Sequence, residues 1–355
     1  MFRMSKIATS AALAAALAVP GAAVADDFNA TVVAGLPPTV LFVKMLPESF
    51  LPAIESGLAA SGHTMTFNEQ YGGAIASNGE EIEVVSAGLA ELGYCIAALR
   101  ASKLPLQNMT YYTPFVSSDV SDVAAVMNRL QFENKAMAGL WTDNNLVYLG
   151  GPIGIDDYAL LSTKPVNSID DLKGMKIATP GAALNWLSGT GAVAVSANLA
   201  TYYNELKTGV YSGVVVSPSL AAPMKLNEVA PHVTIASLGA NYIGGLCANK
   251  DWFDGLPEDV QKTLFQAADT AGAWYAKEIE AAYQRGLDKM TAAGATVAIA
   301  PEELRAAWAK GLDNAAKEWA KALDAQGMPG TETLAIYMNA MRESGAKPLR
   351  NWDQE

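Results

Sequence analysis

The stretch 171–218 constrains the fold most. It reads DLKGMKIATPGAALNWLSGTGAVAVSANLATYYNELKTGVYSGVVVSP. Two acids, Asp170 and Asp171, lead into a short apolar run, 175–178, that reads as a strand. Thr179, Pro180 and Gly181 then turn the chain toward a helix starting near residue 182, because Thr ahead of Pro is a helix-start signal. A second helix is predicted over 201–207, with Gly209 as a left-handed C-cap. A second strand, 211–216, stops at Ser217-Pro218. Strand, helix, helix, strand at this spacing specifies an α/β unit with parallel strands. Loops at the carboxyl ends of such strands face a crevice where ligands bind. Residues 178–181 and 216–218 are therefore expected on one cleft wall.

The first 25 residues read as an export signal. Arg3 and Lys6 give a positive start, 7–19 an Ala/Leu-rich core, and Ala23-Val24-Ala25 a cleavage site after Ala25. No other window is apolar over the ~18 residues a membrane span needs, so an exported, periplasmic protein is expected. The remainder, roughly 330 residues, exceeds one compact core and fits two lobes. Net charge is −12, which argues against nucleic acid, whose backbone is met by basic patches.

Along the chain, strands are expected over 28–35, 64–69, 92–97, 147–151, 158–162, 233–238 and 242–249. Helices are expected over 40–61, kinked at Pro47 and Pro52, and over 78–87, 120–140, 301–325 and 331–344. Leu256-Pro257-Glu258-Asp259 opens a pattern running almost unbroken to residue 293, long enough to span both lobes. The fold class is α/β, a two-lobed, type II-like periplasmic binding protein with crossing strands and a long helix. Lobe I takes 26–150 with about 240–265, and lobe II about 151–239 with about 266–355.

Cys95 and Cys247 sit in apolar strand-like runs, GYCIAAL and GGLCANK, and read as two buried free thiols, with a disulfide as the alternative. Neither has the spacing of a zinc site. His63 and His232 read as solvated loop residues. No nucleophile elbow, H-E-x-x-H or phosphate loop occurs. Gly189-Thr-Gly191-Ala-Val-Ala194 matches a dinucleotide fingerprint formally, but it follows a helix where a strand is required. No catalytic residue, metal or cofactor is expected.

A resemblance adds to this. DLKGMKI…PG, YNELKTGVYSG with a following Pro, the early segment TFNEQYGGAIASNGEEIEVVSAGLAELGY and the late segment ANKDWFDGLPEDVQKTL are similar to the solute-binding subunits of tripartite ATP-independent periplasmic (TRAP) transporters, the DctP type. The resemblance covers nearly the whole mature chain. It implies a monomeric receptor that binds a small solute between its lobes and delivers it to membrane subunits. A binding protein for an ABC importer or a sensor kinase, or an exported enzyme on the same scaffold, are the alternatives.

Members of that family commonly clamp a carboxylate with Arg, whose planar fork pairs with two oxygens. Here the matching positions hold Ala178 and, near the second, Asp157. The family's Asn before Pro is matched by Ser217. Tyr71 and Gly73 follow the second strand, where glycine lets backbone amides approach a ligand. Tyr94 and Tyr158, with Tyr111, Tyr112, Tyr202 and Tyr203, supply aromatic faces able to pack in the core, stack on a ring or cage an amine. Asn185 and Trp186, near a predicted helix start and exposed to the cleft, are the foremost candidates, and Asn241 completes the set. An organic acid follows from family analogy; a neutral or cationic solute follows from Asp157.

Overall fold

The computed structural model describes residues 26–197 and 199–355; the expected export signal lies outside them. In chain order the strands are β1 (Asp27–Val33), β2 (Thr64–Gln70), β3 (Leu92–Ile96), β4 (Leu146–Ile155), β5 (Ala159–Ser162) and β6 (Lys176–Thr179). They continue as β7 (Val193–Ser196), β8 (Gly213–Val216), β9 (His232–Ile235), β10 (Asn241–Asn249) and β11 (Thr296–Ile299). One sheet has the order β2-β1-β3-β10-β4 and the other β11-β9-β5-β8-β6-β7. The molecule is thus a two-lobed α/β protein with a mixed sheet in each lobe. The chain passes from one sheet to the other at 156–158, between β4 and β5, and returns at 236–240, between β9 and β10.

The central unit forms as its turn chemistry dictates, with one substitution. β6 pairs in parallel with β8, and Tyr202–Lys207 is helical. The helix expected near 182 is a 3₁₀ helix, Gly181–Leu187. It ends in two glycines with positive φ, Gly189 (68°) and Gly191 (81°), that deliver the chain into β7. That strand was not anticipated, because its short Ala/Val run follows the glycines without a polar alternation.

Proline and asparagine divide the long helical patterns. The pattern at 40–61 becomes Leu41–Met45, a π turn at Leu46–Phe50 and Leu51–Ala59; Pro47 sits in the π turn, having no N–H to continue an α ladder. The pattern at 120–140 breaks at Asn134, whose side chain accepts from the N–H groups of Ala136 and Met137 and starts a new helix. Asn314 divides 301–325 in the same way, accepting from Lys317 N–H.

The helix Glu258–Ala292 keeps its full 35 residues, roughly 50 Å at 1.5 Å per residue. Two glycines let it lie close to both lobes. A Cβ at Gly272 would stand 3.2 Å from Gly151 Cα, and one at Gly286 would stand 2.5 Å from Pro218 O. Alanine at 286 would therefore push helix and lobe II apart. No helix among the described residues is long and apolar enough to cross a membrane.

Two expectations are corrected. The cysteines are not free thiols: Cys95 and Cys247 form a disulfide, with Cα atoms 5.9 Å apart. β3 and β10 are antiparallel neighbours, and their register sets Gly245 opposite Cys95 and Cys247 opposite Gly93. The two sulfurs therefore approach on a diagonal of the ladder. His63 is not solvated: it is 5% exposed. Its Nδ1 accepts from Asp26 N–H at 3.0 Å, and its Nε2 lies 3.3 Å from the Asp259 carboxylate.

Candidate functional site

The two passages are bound to each other. Gly239 N–H donates to Asp157 Oδ1 at 2.9 Å, Tyr158 N–H donates to Gly239 O at 3.4 Å, and Asn241 Nδ2 donates to the same carbonyl at 3.3 Å. Gly239 adopts φ 126° there, a conformation open to glycine. Asp157 and Asn241 thus brace the hinge. Asp157 is 5% exposed, and burial lifts its pKa from 3.8 to about 7, with Asp156 raising it further and Arg305 opposing.

Consecutive side chains of an extended passage face opposite sides. Asp156 accordingly points away from Gly239, toward the carboxyl end of β8. Its carboxylate accepts from Ser219 N–H at 3.2 Å and from Ser219 Oγ–H at 2.5 Å. Ser217, fully buried, places its hydroxyl 3.3 Å from that of Ser219. Burial also raises the Asp156 pKa, against the Ser219 and Ser217 hydrogen bonds. The sequence reading named Asp157 and missed Asp156 and Ser219; the DD pair gave the signal, but only the register chooses between its members.

Tyr158, Asn185 and Trp186 come together, with Tyr111 from the other lobe. Trp186 Nε1 donates to Tyr111 O at 2.7 Å, and Asn185 Nδ2 to the same carbonyl at 3.2 Å. The Trp186 ring stacks on Tyr111 at 6.0 Å and meets Tyr158 edge-on at 5.1 Å. The Tyr111 and Tyr158 hydroxyls are 3.2 Å apart. Trp186 is fully buried, which corrects the expectation of an exposed ring. The lobe I helix Met109–Tyr112 covers it, a contact no local pattern announces. Tyr202, 1% exposed, has a hydroxyl with no partner, near enough to Tyr158 to raise its pKa. Asn185 Oδ1 is likewise buried without a donor.

The remaining candidates lie in lobe I, apart from this cluster. Tyr94 is fully buried in β3, edge-on to Phe42 at 5.1 Å, with its hydroxyl toward Glu81. Tyr71 is half-buried and Gly73 exposed; Gly73 has φ 87°, and its N–H is directed at Ala34 O at 3.5 Å. Ala178, expected from the resemblance to stand in the place of an Arg, is fully buried in the sheet between β7 and β8.

Two pockets flank the passages. One, of about 350 Å³, lies between Thr39–Phe42 of lobe I and Leu199, Ser219 and Met224 of lobe II, floored by the long helix at Tyr275 and Ile279. The other, of about 290 Å³, is lined by Asp119, Asp156, Asp157, Ser237, Glu280 and Tyr283.

Comparison with known proteins places this geometry. Residues 60–323 match the family described as bacterial extracellular solute-binding protein, family 7 (DctP). The C4-dicarboxylate-binding periplasmic protein DctP of Rhodobacter capsulatus is 31% identical over 188 residues, half of this chain and 53% of the relative. The chain thus spans about half the length of that curated relative. A TRAP periplasmic solute-binding protein from Desulfovibrio salexigens superposes with a TM-score of 0.78 at 16% identity, over 89% of this chain and 96% of the other. A TRAP solute-binding protein from Rhodoferax ferrireducens, in complex with copurified benzoate, gives 0.75 at 15% identity, over 89% and 98%. These likenesses establish the fold, and the match over 60–323 establishes the family: the chain belongs to the DctP family of bacterial extracellular solute-binding proteins.

Proposed function

We propose that this protein is the extracytoplasmic solute-binding subunit of a TRAP-type secondary transporter. It captures one small organic solute between its lobes and presents the closed form to the membrane subunits. The observation that carries this reading is the doubled passage at 156–158 and 236–240, with side chains of lobe II reaching Tyr111 of lobe I across the cleft. Two short passages restrict motion to a hinge, and a solute bound to both lobes shifts the population toward closure. Tyr158, Asn185, Trp186 and Ser217 supply the lobe II side of the solute site, with Asp157 and Asn241 at the hinge. The relatives bind carboxylates by name, a dicarboxylate and benzoate, which supports a small organic solute as the class.

The subunit acts as a monomer without catalysis, after export and removal of residues 1–25. Mass spectrometry of the periplasmic protein should find Asp26 or Asp27 at its start. The functional test is a thermal-shift screen of acids, amines, polyols and aromatics. One solute should stabilise saturably, by about 2.7 kcal/mol at a hundred times its Kd, and should not be turned over. No stabilisation by any of them counts against the receptor reading.

A further inference from the structure

We propose that the solute of this receptor carries a compact apolar body, aliphatic or aromatic, that seats in the cavity of about 350 Å³ between the lobes. The inference rests on the receptor reading and sharpens it by naming the chemistry that the cleft buries.

The cavity stands where strand topology puts a ligand. Loops at the carboxyl ends of strands form the crevice of an open α/β sheet. The lobe I wall, Thr39–Phe42, follows β1 (Asp27–Val33). The lobe II wall is Leu199, after β7, with Ser219, Leu220 and Met224, after β8. Ile155 closes it at the end of β4, and Tyr275 and Ile279 of the long helix form its floor. Ser219 also joins the cavity to Ser217 of the proposed site, their hydroxyls 3.3 Å apart. A body seated here covers surface of both lobes at once. Contacts made only when both lobes engage are what shifts a hinged pair toward closure.

The lining fixes the class. Among the described residues no charged side chain lines this cavity. Its polar groups are largely committed. Ser219 gives its N–H and its hydroxyl to Asp156. Tyr275, 2% exposed, gives its hydroxyl to Gly154 O at 2.7 Å and has only its ring to offer. The acids of the passage, Asp156 and Asp157, line the other pocket, with Asp119 and Glu280. A second carboxylate, or the hydroxyls of a sugar acid, would lose water here without finding partners, a cost the lining does not offset. An apolar body gains from the same walls, about fourfold in affinity for each methylene buried. The volume is at the small end of small-molecule sites and too small for an inserted helix, about 10–12 Å across, so the occupant is a small molecule.

The test holds the head group constant and varies the body. Butanoate, hexanoate and phenylacetate are titrated calorimetrically into the mature protein beside succinate, adipate and glucuronate. The corresponding alcohols and amines repeat the series against diols and diamines, so that the head group cannot hide the effect. In at least one series affinity should rise about fourfold per methylene between the butyl and hexyl members. The doubly polar partner of equal length should bind at least roughly tenfold more weakly. Ala282, on the long helix, also lines the cavity; Ala282→Phe should weaken the hexyl member roughly tenfold and the butyl member less. A loss that grows with body size separates filling of the cavity from a general structural defect. If that variant folds poorly, Met224→Gln, close in shape but polar, should weaken the hexyl and phenyl members several-fold. Affinity flat with length in every series, polar partners binding as well as apolar ones, or unchanged length dependence in both variants overturns the proposal. Silence from every apolar probe while a dicarboxylate or sugar acid binds would leave the receptor reading standing and remove only the apolar body. Silence across the whole solute screen, these probes included, would remove both.

Discussion

Cys95 fastens β3 to β10 within the first sheet, while the loop after β6 in the second sheet is fastened to the opposite lobe by side chains of Asn185 and Trp186. In the first sheet Tyr94 turns inward, and the glycine loop after β2 directs its N–H groups at carbonyls of the same lobe, Gly72 to Leu36 O and Gly73 to Ala34 O. In the second lobe Asn185 and Trp186 instead direct their N–H donors out of their own lobe, onto the Tyr111 carbonyl. A covalent tie that joins strands of one lobe cannot move when the lobes part. Hydrogen bonds that join the lobes must break. The contrast assigns rigidity to lobe I and recognition to the loops of lobe II.

Removing the disulfide should have the largest effect. It closes a loop of 152 residues, for which the chain-entropy model gives about 5 kcal/mol. The double variant Cys95→Ala with Cys247→Ala should therefore lose several kcal/mol in denaturant titrations yet bind solute with nearly the same affinity. Affinity falling in step with stability would break the contrast, because lobe I would then take part in recognition through its internal order.

Trp186→Ala should cost about 3–5 kcal/mol, the range for a large aromatic taken from a packed interior, and should also weaken solute binding. The ring is fully buried and its Nε1 holds the Tyr111 carbonyl. Truncation without loss of stability would mean that lobe–lobe contact contributes nothing in the absence of solute.

Asp157→Asn should have the smallest effect, and one that depends on pH. Burial raises the Asp157 pKa from 3.8 to about 7, so the native state binds the proton more tightly than the unfolded chain. The group adds stability below pH ~4 and loses it as pH rises toward 7. Asp156 and Arg305 face it and shift the window without reversing its sign. Wild-type Tm should fall by roughly 3–6 °C more than that of the variant between pH 5 and 8. Asn keeps an oxygen to accept from Gly239 N–H, so the hinge bond survives. Equal decline in both proteins would locate the titration elsewhere.

What the sequence disclosed is what local chemistry decides. β6, the helix over Tyr202–Lys207 and β8 follow from turn residues and short apolar runs. The 35-residue helix follows from an unbroken period opened by Pro and acids. What it concealed depends on contacts distant in the chain. The disulfide requires β10 to lie beside β3, a pairing across 152 residues. The burial of Trp186 requires the helix Met109–Tyr112 to cover it. The choice of Asp156 over Asp157 as the acid facing β8 turns on a one-residue register, which reverses the facing of every side chain in an extended segment. Ala178, at the position the resemblance assigns to Arg, was legible in the sequence; the burial of Asp156 beside Ser219 was not.

The central claim is that solute draws the lobes together about the two passages. Both native cysteines are bonded, so cysteines introduced at exposed positions can be spin-labelled selectively. Glu55, on the helix Leu51–Ala59 of lobe I, and Lys207, on the helix Tyr202–Lys207 of lobe II, are suitable. Pulsed electron paramagnetic resonance between labels at 55 and 207 should give a broad distance distribution without solute. The best stabilising solute from the screen should collapse it to one narrow, shorter distance, with the disulfide intact throughout. An unchanged distribution at saturating solute would contradict the account.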